Sequence, residues 1–280
     1  MNLVIVPEKL NDLELSDNYQ AIIVGLKDFS VHYELLLDSR EIEDLIKNYP
    51  EKEVFVAINK NIFNDELENL RKALTNLSKL NIKAILFYDQ AVLHNVKKLK
   101  LDLDLVWNQT HMVTNYETIN YYQELGVEYA YLAAEITLEE ILKIREESSS
   151  KLMVNLYGRN LMSFSRRLFL SNYYKSINKE KTKDEEIIKH RDETYIVSEE
   201  KAGTSLMTSN FINASVLLDY DLDYLIVNKK GMADEVLIKL LDYSSSYIKE
   251  KDKKYLLKIE ELIGNDTGFL FKKTIYKVKQ

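Results

Sequence analysis

Residues 54–80, VFVAINKNIFNDELENLRKALTNLSKL, contain the clearest strand and helix of the chain. The run VFVAI at 54–58 is apolar throughout, which is typical of a strand buried on both faces. Residues 64–80 place leucines at helical spacing after Asn64, a residue type that caps helix N-termini, and therefore predict an amphipathic helix. The leucines on its apolar side are Leu67, Leu70, Leu74 and Leu77. A strand followed by such a helix is the unit of α/β proteins with parallel sheets.

The same alternation runs along the rest of the chain. Further apolar runs predict strands at residues 3–6, 21–25, 84–88, 105–108, 129–133, 152–156 and 224–227. Helical patterns lie between them at residues 39–49, 91–98, 115–125, 137–147 and 233–249. Eight strands with intervening helices predict one α/β domain over residues 1–280, folded as a TIM-like (β/α)8 barrel. An open, doubly wound sheet is the competing arrangement, which the count of eight strands disfavours.

An insertion, residues 159–215, separates the seventh predicted strand from the eighth. It begins with an arginine-rich stretch and continues through a lysine- and glutamate-rich loop at residues 178–191. A hairpin is predicted at residues 194–207, with Ala202-Gly203 near its turn. Residues 251–280 form a C-terminal extension beyond the barrel pattern. We therefore expect a single barrel domain that carries two additional segments.

The composition excludes several classes of chemistry. The 280 residues include no cysteine, which removes disulfides, thiolate metal sites, cysteine nucleophiles and cysteine-bound iron–sulfur clusters. The four histidines are not at metal-ligand spacing from one another, so no metal site is predicted. A formal charge of −7 disfavours broad binding of nucleic acid, although a local basic patch remains compatible with a specific RNA. We expect a cytoplasmic protein without a signal peptide or a membrane-spanning segment.

In a (β/α)8 barrel the functional residues lie at the carboxyl ends of the strands. The candidates for ligand binding there are Gln109, Glu135, Tyr157, Arg166 and Arg167. Glu135 directly follows an apolar run, so its carboxylate is expected either to face a ligand or to pair with Arg166 or Arg167. One of the two arginines is expected to pair with a carboxylate, and the other to face solvent or an anion. Ordinary strand-end and capping roles explain Asn59, Asp89 and Asn108.

The run LYGRNLMSFSRRLFLSNYY at residues 156–174 resembles the signature of the peptidase U32 family, the collagenase-like peptidases. Further similar blocks follow the family order at residues 54–70, 85–93, 107–141 and 266–271. The resemblance implies a TIM-barrel-like catalytic domain. Relatives in this family hydroxylate a tRNA wobble uridine or a ribosomal RNA base, or take part in oxygen-independent ubiquinone synthesis. These relatives carry an iron–sulfur cluster on four cysteines, and the hydroxylating ones are associated with prephenate.

The chain departs from this family pattern at the positions where the resemblance places cluster-binding cysteines, and at several other family residues. Two family cysteines fall at Leu161 and Leu168, and a later one falls at Asn213, so the resemblance identifies a short member without cysteine. Leucine cannot bind iron, and no cofactor is expected. An apolar pair, Leu161 and Leu168, is expected to fill the former cluster site as part of a packed structural segment. Other family residues are replaced at Ala134, Tyr157 and Asn228-Lys229-Lys230.

Three functions are compatible with this pattern. The first is a non-redox accessory or partner subunit of a prephenate-dependent system that hydroxylates the tRNA wobble uridine. Its expected partner is a larger, cysteine-bearing U32 paralogue, with a local tRNA contact. The second is a U32-type peptidase, which the absence of a cysteine nucleophile and of a metal or Ser-His-Asp arrangement disfavours. The third is a protein that binds a small carboxylate or another anion. Whether the chain is an enzyme stays open, and the lost family residues favour a pseudoenzyme.

Overall fold

The computed structural model describes residues 1–190 and 193–272. The strands in these ranges are β1 Asn2–Val6, β2 Ala21–Leu26, β3 Leu36–Leu37, β4 Glu53–Ile58, β5 Ala84–Phe87, β6 Leu105–Trp107, β7 Tyr129–Tyr131, β8 Lys151–Gly158, β9 Leu161–Ser165, β10 Glu185–His190, β11 Glu193–Glu200, β12 Gly203–Thr208, β13 Ile212–Asn213 and β14 Tyr224–Asn228. The α-helices are α1 Ser39–Asn48, α2 Leu67–Leu77, α3 Gln90–Leu99, α4 Tyr116–Glu124, α5 Leu138–Glu147, α6 Phe169–Ser176, α7 Asp234–Glu250 and α8 Lys254–Ile263.

Eight parallel strands close into a barrel. Their order around the barrel is β1, β2, β4, β5, β6, β7, β8 and β14. The closure is made by β1, which pairs with β2 on one side and with β14 on the other, so that Val4 lies opposite both Ala21 and Ile226. Helices surround this sheet, and the predicted TIM-like (β/α)8 fold is confirmed. The alternative of an open sheet is wrong, because β1 has a hydrogen-bonded neighbour along each edge.

The apolar residues of the strands divide between two layers. Side chains that point inward, such as Ile23, Phe55 and Leu86, fill the barrel interior. Their neighbours along the same strands, such as Ile22 and Val56, pack outward against the helices in the larger core. Because successive strand residues point to opposite faces, both faces are buried, and the strands consist of continuous apolar runs.

The helix after β4 begins differently from its sequence prediction. Residues 64–66 form a 3-10 turn that precedes α2, and no capping hydrogen bond from Asn64 is present in this described segment. The Glu66 carboxylate accepts a hydrogen bond from Phe63 N (2.9 Å), and Asp89 accepts one from Ile62 N (2.9 Å). The assignment of Asn64 as the cap was therefore wrong, because two carboxylates from other positions bind the backbone amides there. The capping box of Thr137 with Glu140 is present at the start of α5.

A second, antiparallel sheet lies between β8 and β14 in the chain. Its strand order is β10, β11, β12 and β9, and α6 lies in the chain between β9 and β10. The predicted hairpin at residues 194–207 corresponds to β11 and β12. The stretch at residues 178–191 was predicted to be a loop, but Glu185–His190 pairs with β11 as an edge strand. Sequence alone did not reveal this strand, since its residues are mostly charged and exposed. We call β9–β12 together with α6 the inserted module.

The C-terminal segment returns to the barrel after α8. Leu138 N donates a hydrogen bond to Leu270 O (2.9 Å), and Asn213 N donates to Asp266 O (2.7 Å). These contacts join the segment to the start of α5 and to β13. None of the helices in the described part of the chain is both long and apolar enough to cross a membrane.

A buried lysine connects three elements at the end of the last barrel strand. The Lys229 side chain is 3% exposed, and its Nζ lies 2.8 Å from Asp234, 3.3 Å from Asp12 and 3.4 Å from Glu8. Asp234 begins α7, and the other two carboxylates follow β1. Burial acts to lower the pKa of Lys229, but its hydrogen bond to Asp234 and the charge of Asp12 raise it overall. The ion cluster therefore holds the β1 loop and α7 to the end of β14.

Replacing Lys229 with methionine is expected to lower the free energy of unfolding by about 3–5 kcal/mol, because the buried carboxylate of Asp12 loses its counter-charge. Urea denaturation followed by circular dichroism measures the change. Lys249→Met on the exposed face of α7 is the matched control and should change stability by less than about 0.5 kcal/mol. Equal stability of the two variants would contradict the role of the cluster.

Candidate functional site

The inserted module covers the carboxyl end of the barrel. Phe164 on β9 packs edge-on against the ring of His32, with the ring centroids 4.5 Å apart. The guanidinium of Arg166 lies 3.8 Å from the centroid of the Phe63 ring, in the loop after β4. These contacts place β9 over the loops that follow β2 and β4. The space enclosed between the module and these loops is the candidate site.

The mouth cavity is the part of this space that extends toward β5 and β6. It has a volume of about 460 Å³, and its lining includes Tyr88, Thr110 and Leu161. Two cationic residues, Lys60 and Arg166, also contribute to the lining, together with the histidines His32 and His111. No Asp or Glu occurs among the described residues that line it. In a chain of formal charge −7, this lining favours an anionic ligand over a cationic one.

A second cavity lies on the other side of Phe164 and Arg166. Its volume is about 500 Å³, and it differs from the mouth cavity because Asp28, Glu34 and Glu200 line it. Two of these carboxylates bind the partly buried Lys230, whose Nζ lies 2.5 Å from Glu34 and 3.4 Å from Glu200. Lys230 thereby connects the loop after β2 with the end of β11. The outer cavity therefore has carboxylates in its lining beside Lys60, Arg166 and Lys201, whereas the described lining of the mouth cavity has none.

The two neighbouring arginines have different environments. Arg166 lines both cavities and makes no ion pair within 4.0 Å among the described residues, since the nearby Glu66 carboxylate is bound by Lys60 at 2.5 Å. Arg167 lines neither cavity, although both arginines are exposed. Its backbone carbonyl accepts a hydrogen bond from the Thr204 hydroxyl (2.8 Å). The pair lies in a bend between β9 and α6, so the expectation that one arginine pairs with a carboxylate is not met within the described chain.

His32 is a site residue that sequence analysis did not identify. It has a left-handed backbone conformation with a φ of 66°, and neither ring nitrogen has a hydrogen-bond partner among the described residues. Burial, with a smaller effect from Lys230, lowers the pKa of His32 to about 3. The imidazole is consequently neutral at pH 7, and both of its nitrogens are buried beneath the wall of the mouth cavity. A single histidine in a loop gives no sequence signal for this arrangement.

Glu135 pairs with a histidine rather than with an arginine. Its Oε2 lies 3.2 Å from Nδ1 of His111, and both side chains are partly exposed. The alternative in which Glu135 pairs with Arg166 or Arg167 is therefore wrong, because Arg166 stacks on Phe63 instead. The carboxylate is held at the rim of the mouth cavity, where His111 contributes to the lining.

Gln109 and Tyr157 bind groups within the protein. The Gln109 amide accepts from Trp107 Nε1 (3.1 Å) and donates to Tyr88 O (2.7 Å). Tyr157 is buried, and its hydroxyl lies 2.9 Å from that of Ser244 on α7. Neither side chain lines the mouth cavity. The strand-end residues have structural contacts as expected: Asn59 bonds both backbone groups of Val31, and Asp89 caps α3.

The positions where the family resemblance places cysteines do not form a site for an iron–sulfur cluster. Leu161 lines the mouth cavity, and Leu168 is 40% exposed before α6. Asn213 is buried and donates through its amide to Gly264 O (2.8 Å). These side chains supply no thiolate, and no group of three or more His, Asp or Glu in the described ranges could hold a metal ion. The expectation that Leu161 and Leu168 pack as a buried pair is wrong, because Leu168 lies at the surface.

The inserted module is held together by a buried carboxylate. The Glu199 side chain is 2% exposed and accepts hydrogen bonds from Lys181 Nζ (2.7 Å) and Ser171 N (3.0 Å). Burial acts to raise the pKa of Glu199, but the hydrogen bonds from Lys181 and Ser171 lower it to about 2. Glu199 thereby fixes α6 to β11.

Comparison with known proteins identifies the class. The chain matches the model of peptidase family U32 over residues 11–225, and it belongs to this family. It is 28% identical to tRNA hydroxylation protein P2 of Bacillus subtilis over 249 residues, which cover 80% of this chain and 81% of the relative. It is 20% identical to tRNA hydroxylation protein P1 of the same organism over 172 residues.

The chain corresponds to only part of some relatives. Its match covers 59% of this chain but 40% of protein P1, and 44% of this chain but 27% of tRNA hydroxylation protein P of Haemophilus influenzae, at 24% identity. Among solved structures, a dihydrodipicolinate synthase superposes with a TM-score of 0.50 at 11% identity, over 94% of this chain and 82% of that structure. This likeness shows the barrel fold alone.

Replacing Glu199 with glutamine is expected to destabilise the protein at pH 7 by about 3 kcal/mol, the equivalent of the pKa difference between 4.5 and about 2. A carboxyl group with a depressed pKa stabilises the fold above pH 4.5, and this contribution is lost as the pH falls toward 2. The difference in unfolding free energy between wild type and variant should therefore shrink over that range. Urea titrations at several pH values measure it. A difference independent of pH would show that folding does not lower the pKa of Glu199.

Proposed function

We propose that this protein is a non-redox accessory subunit of a tRNA hydroxylation system, acting with a larger, cysteine-bearing U32 paralogue on the wobble uridine. The observation that carries the proposal is the similarity to tRNA hydroxylation protein P2, which extends over 80% of this chain. Similarity to the longer proteins P1 and P supports a system with more than one component. The proposed reaction depends on prephenate, as the family resemblance implies.

An accessory role agrees with the chemistry of the chain. Cluster chemistry needs thiolate ligands, and the corresponding positions hold Leu161, Leu168 and Asn213. The barrel and the covered mouth are nevertheless retained, so binding surfaces remain where redox ligands are lost. We infer that the chain is a pseudoenzyme that positions RNA or a small ligand for the paralogue, in which the cluster would lie.

The peptidase alternative has less support. The chain has no cysteine nucleophile, and the two histidines in the mouth cavity do not activate a serine. His111 faces Glu135, while both nitrogens of His32 lack a partner within the described residues. A hydrolase of the serine type would need a hydroxyl bonded to such a nitrogen.

Deletion of the gene is expected to abolish or strongly reduce hydroxylation of the wobble uridine, measured by mass spectrometry of purified tRNA. An affinity-tagged copy should restore the modification and co-purify the cysteine-bearing paralogue. A plasmid that encodes only the paralogue serves as the control, because it should not restore hydroxylation. Normal hydroxylation in the deletion strain would contradict the proposal.

A second candidate function, binding of a small carboxylate, is favoured by the mouth cavity. Its described lining has no acidic side chain, and Arg166 faces it without a carboxylate partner among the described residues. A guanidinium without a carboxylate partner in the protein can bind the carboxylate of a ligand through two hydrogen bonds. Such binding is compatible with the accessory role.

Prephenate, or a related carboxylate, is expected to raise the thermal stability of the protein. At about 100 times its dissociation constant a ligand of the folded state adds about 2.7 kcal/mol. Arg166→Gln should remove most of this effect, whereas Arg167→Gln is the matched control because Arg167 lines neither cavity. Thermal unfolding with and without ligand measures the shift. An equal loss in both variants would indicate non-specific attraction rather than a site at the mouth.

A further inference from the structure

Positive charge is concentrated in one short segment of this acidic protein. Residues 166–183, RRLFLSNYYKSINKEKTK, contain six lysines and arginines and a single glutamate, while the whole chain has a formal charge of −7. The segment includes α6 and its flanking residues. A local cluster of this kind attracts polyanions even when the net charge of the protein repels them.

The outer side of α6 presents aromatic rings to solvent. Leu170 is buried against the antiparallel sheet, and Tyr174 bonds Glu186 on β10 (2.6 Å), which fixes the inner side of the helix. Phe169 and Tyr173, one helical turn apart, are 49% and 58% exposed. They lie on the same side of the helix because residues four apart are neighbours there. Asn172 is exposed beside them.

The basic residues of the same segment are exposed as well. Arg167 precedes α6, Lys175 lies in its last turn, and Lys179 and Lys183 follow it. Among the described residues these four side chains make no ion pair, in contrast to Lys181, which binds Asp184 and Glu199. The α6 face, as we name it, therefore combines two exposed aromatic rings with four available cations: Phe169, Tyr173, Arg167, Lys175, Lys179 and Lys183.

We propose that the α6 face binds single-stranded RNA. Bases stack on the rings of Phe169 and Tyr173, and the lysines and Arg167 contact phosphates. Aromatic stacking accepts any base and combines with a positively charged surface in proteins that bind single strands. This inference rests on the proposed function, and it locates the RNA contact on the inserted module rather than in the barrel mouth.

The charge of the face favours RNA over a protein partner. Lysine is depleted in protein–protein interfaces, whereas phosphate contacts require it. The exposed apolar residues next to the face, Leu168 and Ile177, fit either partner. The lysines of this segment, together with its exposed aromatic rings, therefore favour RNA as the partner.

The proposal is tested by measuring how the full chain binds a fluorescently labelled oligouridine of about 12 nucleotides. The salt concentration is varied from about 50 to 200 mM. The double variant Phe169→Ala, Tyr173→Ala is expected to weaken binding by about tenfold or more. Tyr121→Ala is the matched control, since Tyr121 is equally exposed (58%) on α4. The far-ultraviolet circular dichroism of each variant verifies its fold.

The double variant Lys175→Gln, Lys179→Gln should lower the slope of log affinity against log salt by about 1.4, since each phosphate contact on a single strand contributes about 0.7. Lys97→Gln, Lys98→Gln removes the same charge from the exposed end of α3 and should leave the slope unchanged. Equal effects of the two pairs would show attraction by net charge alone and would overturn the proposal.

Two further outcomes separate this inference from the proposed function. If the aromatic variant keeps RNA binding but no longer co-purifies the paralogue, the α6 face is a protein interface and the inference is wrong. If the α6 variants bind RNA like the wild type while gene deletion still abolishes hydroxylation, the inference fails and the accessory role stands. If RNA binding depends on α6 but hydroxylation is normal after gene deletion, the accessory role is wrong and the inference about the α6 face stands.

Discussion

The hydrogen bonding of β1 on both edges is the constraint on which the rest of the structure depends. Asn2–Val6 pairs in parallel with β14 and with β2, and this closes a sheet that would otherwise expose two apolar edges. Closure brings the loops after all eight strands to one end of the barrel. The Lys229 cluster supports the closure, because it ties the chain after β1 to the end of β14 and the start of α7.

The inserted module turns this open barrel end into an enclosed site. Because β9 lies over the loops after β2 and β4, Phe164 contacts His32 and Arg166 stacks on Phe63. The same placement separates two cavities with different linings, one that includes carboxylates and one in which the described residues supply none. The module also carries the α6 face on its outside. It therefore contributes to both proposed binding surfaces, while the barrel supplies the rigid support beneath them.

The positions where the family resemblance places cysteines have separate structural roles. Leu161 lines the mouth cavity, Leu168 is exposed beside α6, and Asn213 joins β13 to the C-terminal segment through Gly264 and Asp266. These three positions therefore do not form a single packed core. The retained barrel with altered ligands agrees with a protein whose role in its family is binding rather than redox chemistry.

The sequence by itself determined the barrel, since strands buried on both faces and amphipathic helices leave local periodic signals, as at residues 54–58 and 137–147. It also placed Arg166 near the site and excluded thiolate chemistry. The tertiary structure alone decided which side chains meet there. His111 with Glu135, Phe63 with Arg166, and the unpartnered imidazole of His32 are all products of long-range packing. Sequence spacing does not encode such contacts, because they depend on how loops from different strands and the inserted module are brought together.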